Sequence, residues 1–197
     1  MGGPASAFLP TPPFTASGIK GAPVEVPSKR TRTSRTFSTG RGTLAAQVFT
    51  SSINYQDAAG AWQAIDNTLV PSARPGYYQN AANRYTVALP SDIGCGPVDV
   101  SQGQLSLQYR LVGAKAPALP SSSAVSYNAA LPGVDVSLAA TGDAVKENLT
   151  LHSATAPSTF VYAVHMQGLI ATANSHGGID FKDAAGKGAS AGEMGQV

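Results

Sequence analysis

Apolar and polar residues alternate along several stretches of the chain. In LSLQYRLV, Leu105, Leu107, Tyr109 and Leu111 are separated by single polar residues. A period of two places the apolar side chains on one face of an extended strand. The same alternation predicts strands around three further apolar sets: Phe160/Tyr162/Val164/Met166, Val134/Val136/Leu138 and Tyr85/Val87/Leu89.

Turn-forming segments separate these stretches, among them PSARPG, LPSDIGCGP, ALPSSS, ATGD and NSHGG. No apolar stripe has both the period and the length of a helix. We therefore predict an all-β fold, an antiparallel β-sandwich of many short strands. The predicted domain spans 23–187, after a leader or linker rich in Pro, Gly, Ala and Ser at 1–22. A tail rich in Gly, Ala and Ser at 188–197 leaves open whether the sandwich is complete at its C-terminus.

One turn phrase occurs twice, as YQDAAG at 55–60 and as FKDAAG at 181–186. Asp57 and Asp183 are suited to the first position of a type I turn, where the carboxylate bonds back to the backbone. Gly60 and Gly186 occupy the position that often needs a positive φ. A calcium loop would need several more oxygen ligands nearby, so we predict structural turns at both places and no metal site.

The net charge of +2 does not indicate a nucleic-acid partner, although six basic residues and only Glu25 as an acid lie within residues 1–50. The most basic segment, KRTRTSR, predicts an exposed strand with Arg30 and Arg32 on one face. Cys95 is the only cysteine, in a loop-like Gly-Cys-Gly-Pro setting. The chain shows no export signal and no uncharged apolar run long enough to span a membrane.

Candidate chemistry is sparse, and we predict no catalytic residue and no cofactor. The three histidines, His152, His165 and His176, are not at the short spacings of metal ligands. Neither a Gly-x-Ser-x-Gly elbow nor a phosphate-binding glycine loop is present.

Three residues remain as candidate ligand-binding positions. Glu147 shares a strand face with apolar residues in AVKENLTL and could line a sugar cleft with Asp135 or Asp66. The favoured interpretation is that Glu147 lies at the solvent-exposed end of its strand or forms an ion pair with an arginine. Tyr77 and Tyr78 in PGYYQN could stack on sugar rings, although packing under a long loop is the favoured role.

The order of these phrases resembles the N-terminal β-rich region of large secreted bacterial proteins that carry RHS/YD repeats or DNRLRE domains, including the cell wall-associated type. The likeness covers most of 23–187. It rests on a leading Glu with a basic, Thr/Ser-rich segment, and on the phrase Tyr-x-Asp-x-x-Gly-x-Trp-x-x-Ile-Asp at 55–66. It continues through NAANRYTVALP, PGVDV, VKENLTL and GIDFKDAAGK.

The resemblance implies a non-catalytic structural module, secreted or in the cell wall, whose partners are neighbouring domains of a longer polypeptide. Tyr55, Trp62 and Ile65 are then expected in the core. The alternative function is a carbohydrate-binding module with a cell-surface glycan as partner, and a polysaccharide-cleaving β-sandwich enzyme comes third.

Overall fold

A computed structural model describes residues 23–40 and 42–186. The predicted leader at 1–22 and the tail at 188–197 lie outside the described residues. The described chain is all-β, as predicted: it contains antiparallel sheets, one short 3₁₀ helix and no α-helix. It divides into two compact units, residues 1–66 and residues 67–197.

The described part of the first unit contains a three-stranded sheet and a hairpin. The sheet has the order β1-β2-β3, with a 3₁₀ helix between β1 and β2, and β4 pairs with β5. The elements are β1 (Val24–Glu25), the 3₁₀ helix (Pro27–Lys29), β2 (Ser34–Ser38), β3 (Leu44–Val48), β4 (Asn54–Gln56) and β5 (Trp62–Ala64).

Within the first unit, the turn between β4 and β5 is held by the Asp57 carboxylate. Its Oδ1 accepts the backbone N–H groups of Ala59 at 3.0 Å and Ala61 at 2.9 Å. Gly60 donates its N–H to the Asp57 carbonyl at 2.9 Å and has a φ of +80°. The second copy of the phrase forms two of these bonds after β17, from the Ala185 N–H to Asp183 Oδ1 and from the Gly186 N–H to the Asp183 carbonyl.

The basic segment does not form the exposed strand that we predicted. Pro27 suits the first position of the 3₁₀ helix, and a turn at 32–33 separates this helix from β2. Arg30 is drawn to Glu25, with Nε 2.6 Å from Oε1 and Nη2 2.9 Å from Oε2. This bidentate bond lowers the pKa of Glu25. The prediction was wrong because a contact to another element overrides local alternation.

Apolar residues expected in the core of the first unit are only half-buried. Tyr55, Trp62 and Ile65 all keep part of their surface exposed. The buried residues among those described in this unit are polar, namely Arg35, Ser52 and Asn54. Asn54 Nδ2 donates to the carbonyls of Thr31 at 2.7 Å and Ser34 at 3.0 Å, so a polar side chain ties β4 to β2.

The second unit contains two larger antiparallel sheets and a hairpin. The six-stranded sheet has the order β15-β10-β9-β8-β7-β6, the four-stranded sheet has the order β11-β12-β13-β14, and β16 pairs with β17. The strands are β6 (Asp66–Pro71), β7 (Tyr77–Ala82), β8 (Thr86–Pro90), β9 (Val98–Gln102), β10 (Leu105–Leu111), β11 (Leu119–Pro120), β12 (Ala124–Leu131), β13 (Val134–Ala140), β14 (Val145–Leu151), β15 (Tyr162–Gln167), β16 (Leu169–Ala173) and β17 (Ile179–Asp183).

One apolar core lies between the faces of the six- and four-stranded sheets. The alternating residues predicted from the sequence point into it, including Val87 and Leu89 from β8 and Val136 and Leu138 from β13, all fully buried. Burial of this apolar surface is the main stabilising term of such a packing. Phe181 from the β16–β17 hairpin joins the same core.

Buried tyrosine hydroxyls also join the two sheets. Tyr127 on β12 donates to the Pro90 carbonyl at the end of β8, at 2.7 Å. Tyr85, which precedes β8, is within 2.7 Å of the Thr141 carbonyl and 2.8 Å of the Ala144 carbonyl in the β13–β14 turn. Burial raises the pKa of Tyr85 to about 12. The hydroxyls therefore act as neutral hydrogen-bond donors between sheets.

We predict that Gly60→Val lowers the free energy of unfolding of the first unit by about 1–2 kcal/mol. A Cβ at this position meets no atom within 4 Å, so the cost arises from the φ of +80°, which a β-branched residue rarely adopts. Gly60→Asn is the control, since asparagine tolerates this backbone conformation and is expected to cost less. Chemical denaturation followed by Trp62 fluorescence measures both. Equal stabilities of wild type and Gly60→Val would contradict the prediction.

Candidate functional site

Glu147 lies in the middle of β14 with its side chain on the core face of the four-stranded sheet. It pairs with Leu138 of β13, which is fully buried, and directly opposed residues of an antiparallel pair point to the same side. Neither interpretation favoured by the sequence is correct: Glu147 is not at the end of its strand, and it pairs with a tyrosine rather than an arginine.

The partner of Glu147 is Tyr162 on β15, the edge strand of the other large sheet. The Tyr162 hydroxyl donates to Glu147 Oε1 at 3.1 Å. The ring of Tyr162 packs at a tilt against Tyr109 of β10, with ring centroids 6.2 Å apart. This group joins the two sheets at their margin, and it contains one carboxyl and two phenols.

The electrostatics of this group are dominated by loss of water. Burial raises the pKa of Glu147, and the bond from Tyr162 offsets only part of that effect. Burial also raises the pKa of Tyr162 and of Tyr109 far above the ordinary range, and the nearby Glu147 charge acts in the same direction. A carboxyl of this kind can take up or release a proton nearer to neutral pH than an exposed glutamate can.

Asp135 and Glu147 cannot line one cleft. Asp135 opposes Thr150, which is exposed, so its carboxylate projects from the outer face of the four-stranded sheet, opposite to Glu147. It accepts the Ala129 N–H at 2.6 Å and lies 2.8 Å from His152 Nε2. Asp66 begins β6, which lies at the opposite edge of the six-stranded sheet from β15. The predicted pair of Glu147 with Asp135 is therefore wrong, because the register of β13 and β14 was not visible in the sequence.

Tyr77 and Tyr78 do not form an exposed platform. Tyr78 opposes the core residue Leu89, whereas Tyr77 opposes Pro90 on the other face of the sheet. Tyr77 is only 9% exposed, and the guanidinium carbon of Arg74 lies 3.9 Å from its ring centroid. The Tyr77 hydroxyl contacts Gly96, so the ring packs beneath the loop at 91–97. The suggested exposure of Tyr77 was wrong, and the favoured packing role fits this position.

A cleft of about 480 Å³ near Cys95 was not found from the sequence. The Cys95 thiol is exposed, and the lining includes Asp92, Arg110 and Lys115. One oxygen of the Asp92 carboxylate is occupied by the Gly94 N–H at 2.8 Å. The isolated bridge between Asp92 and Pro117 brings the segment after β10 to this loop, so no local sequence signal could have indicated the cleft.

The remaining polar side chains considered in the sequence do not converge. His165 and His176 are exposed and lie on β15 and in the β16–β17 turn, respectively. Within 23–40 and 42–186, no group of three or more His, Cys, Asp or Glu side chains is placed to hold a metal ion. In the same ranges, no helix is long and apolar enough to cross a membrane.

Comparisons with known proteins gave no relative. No protein-family model, no curated protein sequence and no solved structure matches the chain.

The raised pKa of Glu147 predicts a pH dependence of stability. Below the pKa of an unfolded glutamate both states bind the proton. As the pH rises through the higher pKa of the folded state, the buried carboxyl ionises at a cost. The stability of wild type relative to Glu147→Gln is therefore expected to fall as the pH rises from below the pKa of an unfolded glutamate through the higher pKa of the folded state. Urea unfolding at a series of pH values measures the difference.

Asp135→Asn is the matched control, and its pH dependence has the opposite sign. The Ala129 N–H and then His152 lower the pKa of Asp135, so its contribution is present above the unfolded pKa and is lost as the pH falls. If both variants changed with pH in the same direction, the burial assigned to Glu147 would be incorrect.

We also predict that Gly96→Ala destabilises the second unit by about 1–3 kcal/mol, because its Cβ would collide with the Tyr77 hydroxyl. That hydroxyl is buried and has no hydrogen-bond partner among the described residues, so Tyr77→Phe is expected to be nearly neutral. In the Tyr77→Phe background, Gly96→Ala should cost at least about 1 kcal/mol less. Strictly additive free energies in this double-mutant cycle would argue against the contact.

Proposed function

We propose that this chain is a non-catalytic structural module of a large secreted or cell-surface bacterial protein of the RHS-repeat type. Its task is to support or present the neighbouring domains of that polypeptide. The observation that carries the proposal is the use of buried tyrosine hydroxyls as ties between sheets, by Tyr127 to Pro90 and by Tyr85 to the 141–144 turn.

These ties favour a rigid scaffold because each joins one large sheet to the other, Tyr127 of β12 to the end of β8 and Tyr85, just before β8, to the β13–β14 turn. A satisfied buried network fixes one packing of the sheets more strongly than apolar contacts do. Further bonds act in the same way: Asn83 Nδ2 donates to the Thr141 carbonyl at 3.1 Å, and the Leu69 N–H donates to the Ser122 carbonyl at 2.7 Å. A module with this construction can hold adjacent domains at a constant separation.

The resemblance in the order of phrases supports the location that we propose, at the cell surface or in the cell wall. The phrase at 55–66 forms the β4–β5 hairpin, and VKENLTL forms β14. These two of the phrases that carry the likeness therefore belong to the framework of the fold. A function in presenting other domains requires such a framework and no reacting group.

The experiment uses the full chain with the variants Tyr85→Phe and Tyr127→Phe. Each variant removes a buried hydrogen bond between the sheets, so each is expected to lower the free energy of unfolding by about 1 kcal/mol and the Tm by about 2–4 °C. Tyr55→Phe, at a half-buried ring in the first unit, is the control and should change the Tm little.

A parallel assay tests the non-catalytic character. Wild-type protein is incubated with a panel of polysaccharides, and the release of reducing ends is measured. We expect no release above background. Turnover by wild type that is lost in Glu147→Gln would overturn the proposed function and favour a polysaccharide-cleaving enzyme.

A further inference from the structure

At one side of the second unit, two side chains on the core faces of the large sheets remain partly exposed to solvent. We call this side the open margin and define it by the core-facing residues of β14 and β15. Val164 opposes the buried Tyr109 and Leu151 opposes the buried Val134, so both side chains lie on core faces. Nevertheless Val164 is 42% exposed and Leu151 is 44% exposed. Partly exposed apolar side chains on a core face are a surface that an added strand could cover.

The strands at the open margin also have free edges. β15 ends the six-stranded sheet and β14 ends the four-stranded sheet, so within the described residues each has a neighbour on one side only. A free edge carries unpaired backbone N–H and C=O groups that can accept an added strand. Strand addition at β15 would satisfy those groups and cover Val164.

Glu147 places a half-buried carboxyl group at the open margin. No basic side chain of the described residues bonds to it, and its contact is the neutral Tyr162 hydroxyl. Two further tyrosines lie close enough for the Glu147 charge to raise their pKa values, Tyr109 on β10 and Tyr127 on β12. A carboxylate that has lost water and lacks a cation is best compensated by a cation brought by a partner.

We propose that the open margin binds an extended strand that pairs with the free edge of β15 and carries a Lys or Arg opposite Glu147. The remaining inward positions of that strand are apolar and cover Val164 and Met166. Adjacent strands lie about 4.8 Å apart, so a lysine beside Tyr162 has the length to reach the same carboxylate. The inference rests on the proposed function, because the strand is one that a neighbouring domain of the longer polypeptide would donate.

The test measures binding of two fluorescein-labelled octapeptides to the full chain by fluorescence anisotropy. Both alternate Thr and Val and are capped at their ends; one has a single inward Val replaced by Lys, and its twin has Glu there. Wild type is expected to prefer the Lys peptide by about ten-fold or more at low salt. Glu147→Gln should reduce that preference to about two-fold or less.

Two further variants keep the result interpretable. Asp135→Asn removes a carboxylate from the outer face of the same sheet, and it should keep the preference for the Lys peptide. Val164→Arg places a cation on the core face of β15, two residues from Tyr162, and it should abolish the preference by supplying the charge within the chain. Circular dichroism of each variant verifies that it is folded.

Three results would overturn the inference: no binding of the Lys peptide to wild type, equal binding of both peptides, or a preference that survives in Glu147→Gln. Self-association of the chain through the margin, detected by sedimentation and lost in Val164→Arg, would assign the surface to a second copy instead. Failure of peptide binding leaves the structural module in place. Polysaccharide turnover would overturn the module and leave the peptide result unchanged, so the two proposals fail separately.

Discussion

The packing of two antiparallel sheets over one apolar core determines which side chains of the second unit are buried and which face solvent. Once Leu138 and Val136 face this core, the pairing of β13 with β14 also directs Glu147 inward and Asp135 outward. The positions of the charged groups thus follow from strand register rather than from their own chemistry. The same constraint separates Tyr77 from Tyr78, because successive residues of a strand point to opposite faces.

The first unit is organised by polar contacts instead. Its described buried residues are Arg35, Ser52 and Asn54, and its hairpin and sheet are joined by side-chain bonds to backbone carbonyls. Such bonds are worth only about 1 kcal/mol each after the loss of water is counted. Small units with little apolar burial are marginally stable, so the turn at Asp57 and the Glu25–Arg30 pair matter more here than similar contacts would in the second unit.

The sequence predicted what depends on local pattern and missed what depends on distant contacts. Alternation located the core faces of β8, β10 and β13, and the all-β fold follows from it. The alternation could not predict which side chains contact one another across the fold. Glu147 contacts Tyr162 because two sheets pack together, and Tyr77 is covered by a loop that folds back over it. The strand predicted for the basic segment failed for the same reason, since the Arg30 contact with Glu25 outweighed the β propensity of threonine.

An inward-facing charge at a sheet margin has two consequences that act together. A half-buried carboxylate such as Glu147 opposes the approach of a purely apolar strand, and inward-pointing charges are one means by which sheet proteins limit indiscriminate pairing at free edges. The same charge favours a strand that brings a cation, so discrimination comes from repulsion as well as from attraction. A half-buried carboxylate without a cation lowers the stability of the isolated module. This cost is consistent with a scaffold in which a strand from the correct neighbour completes the margin.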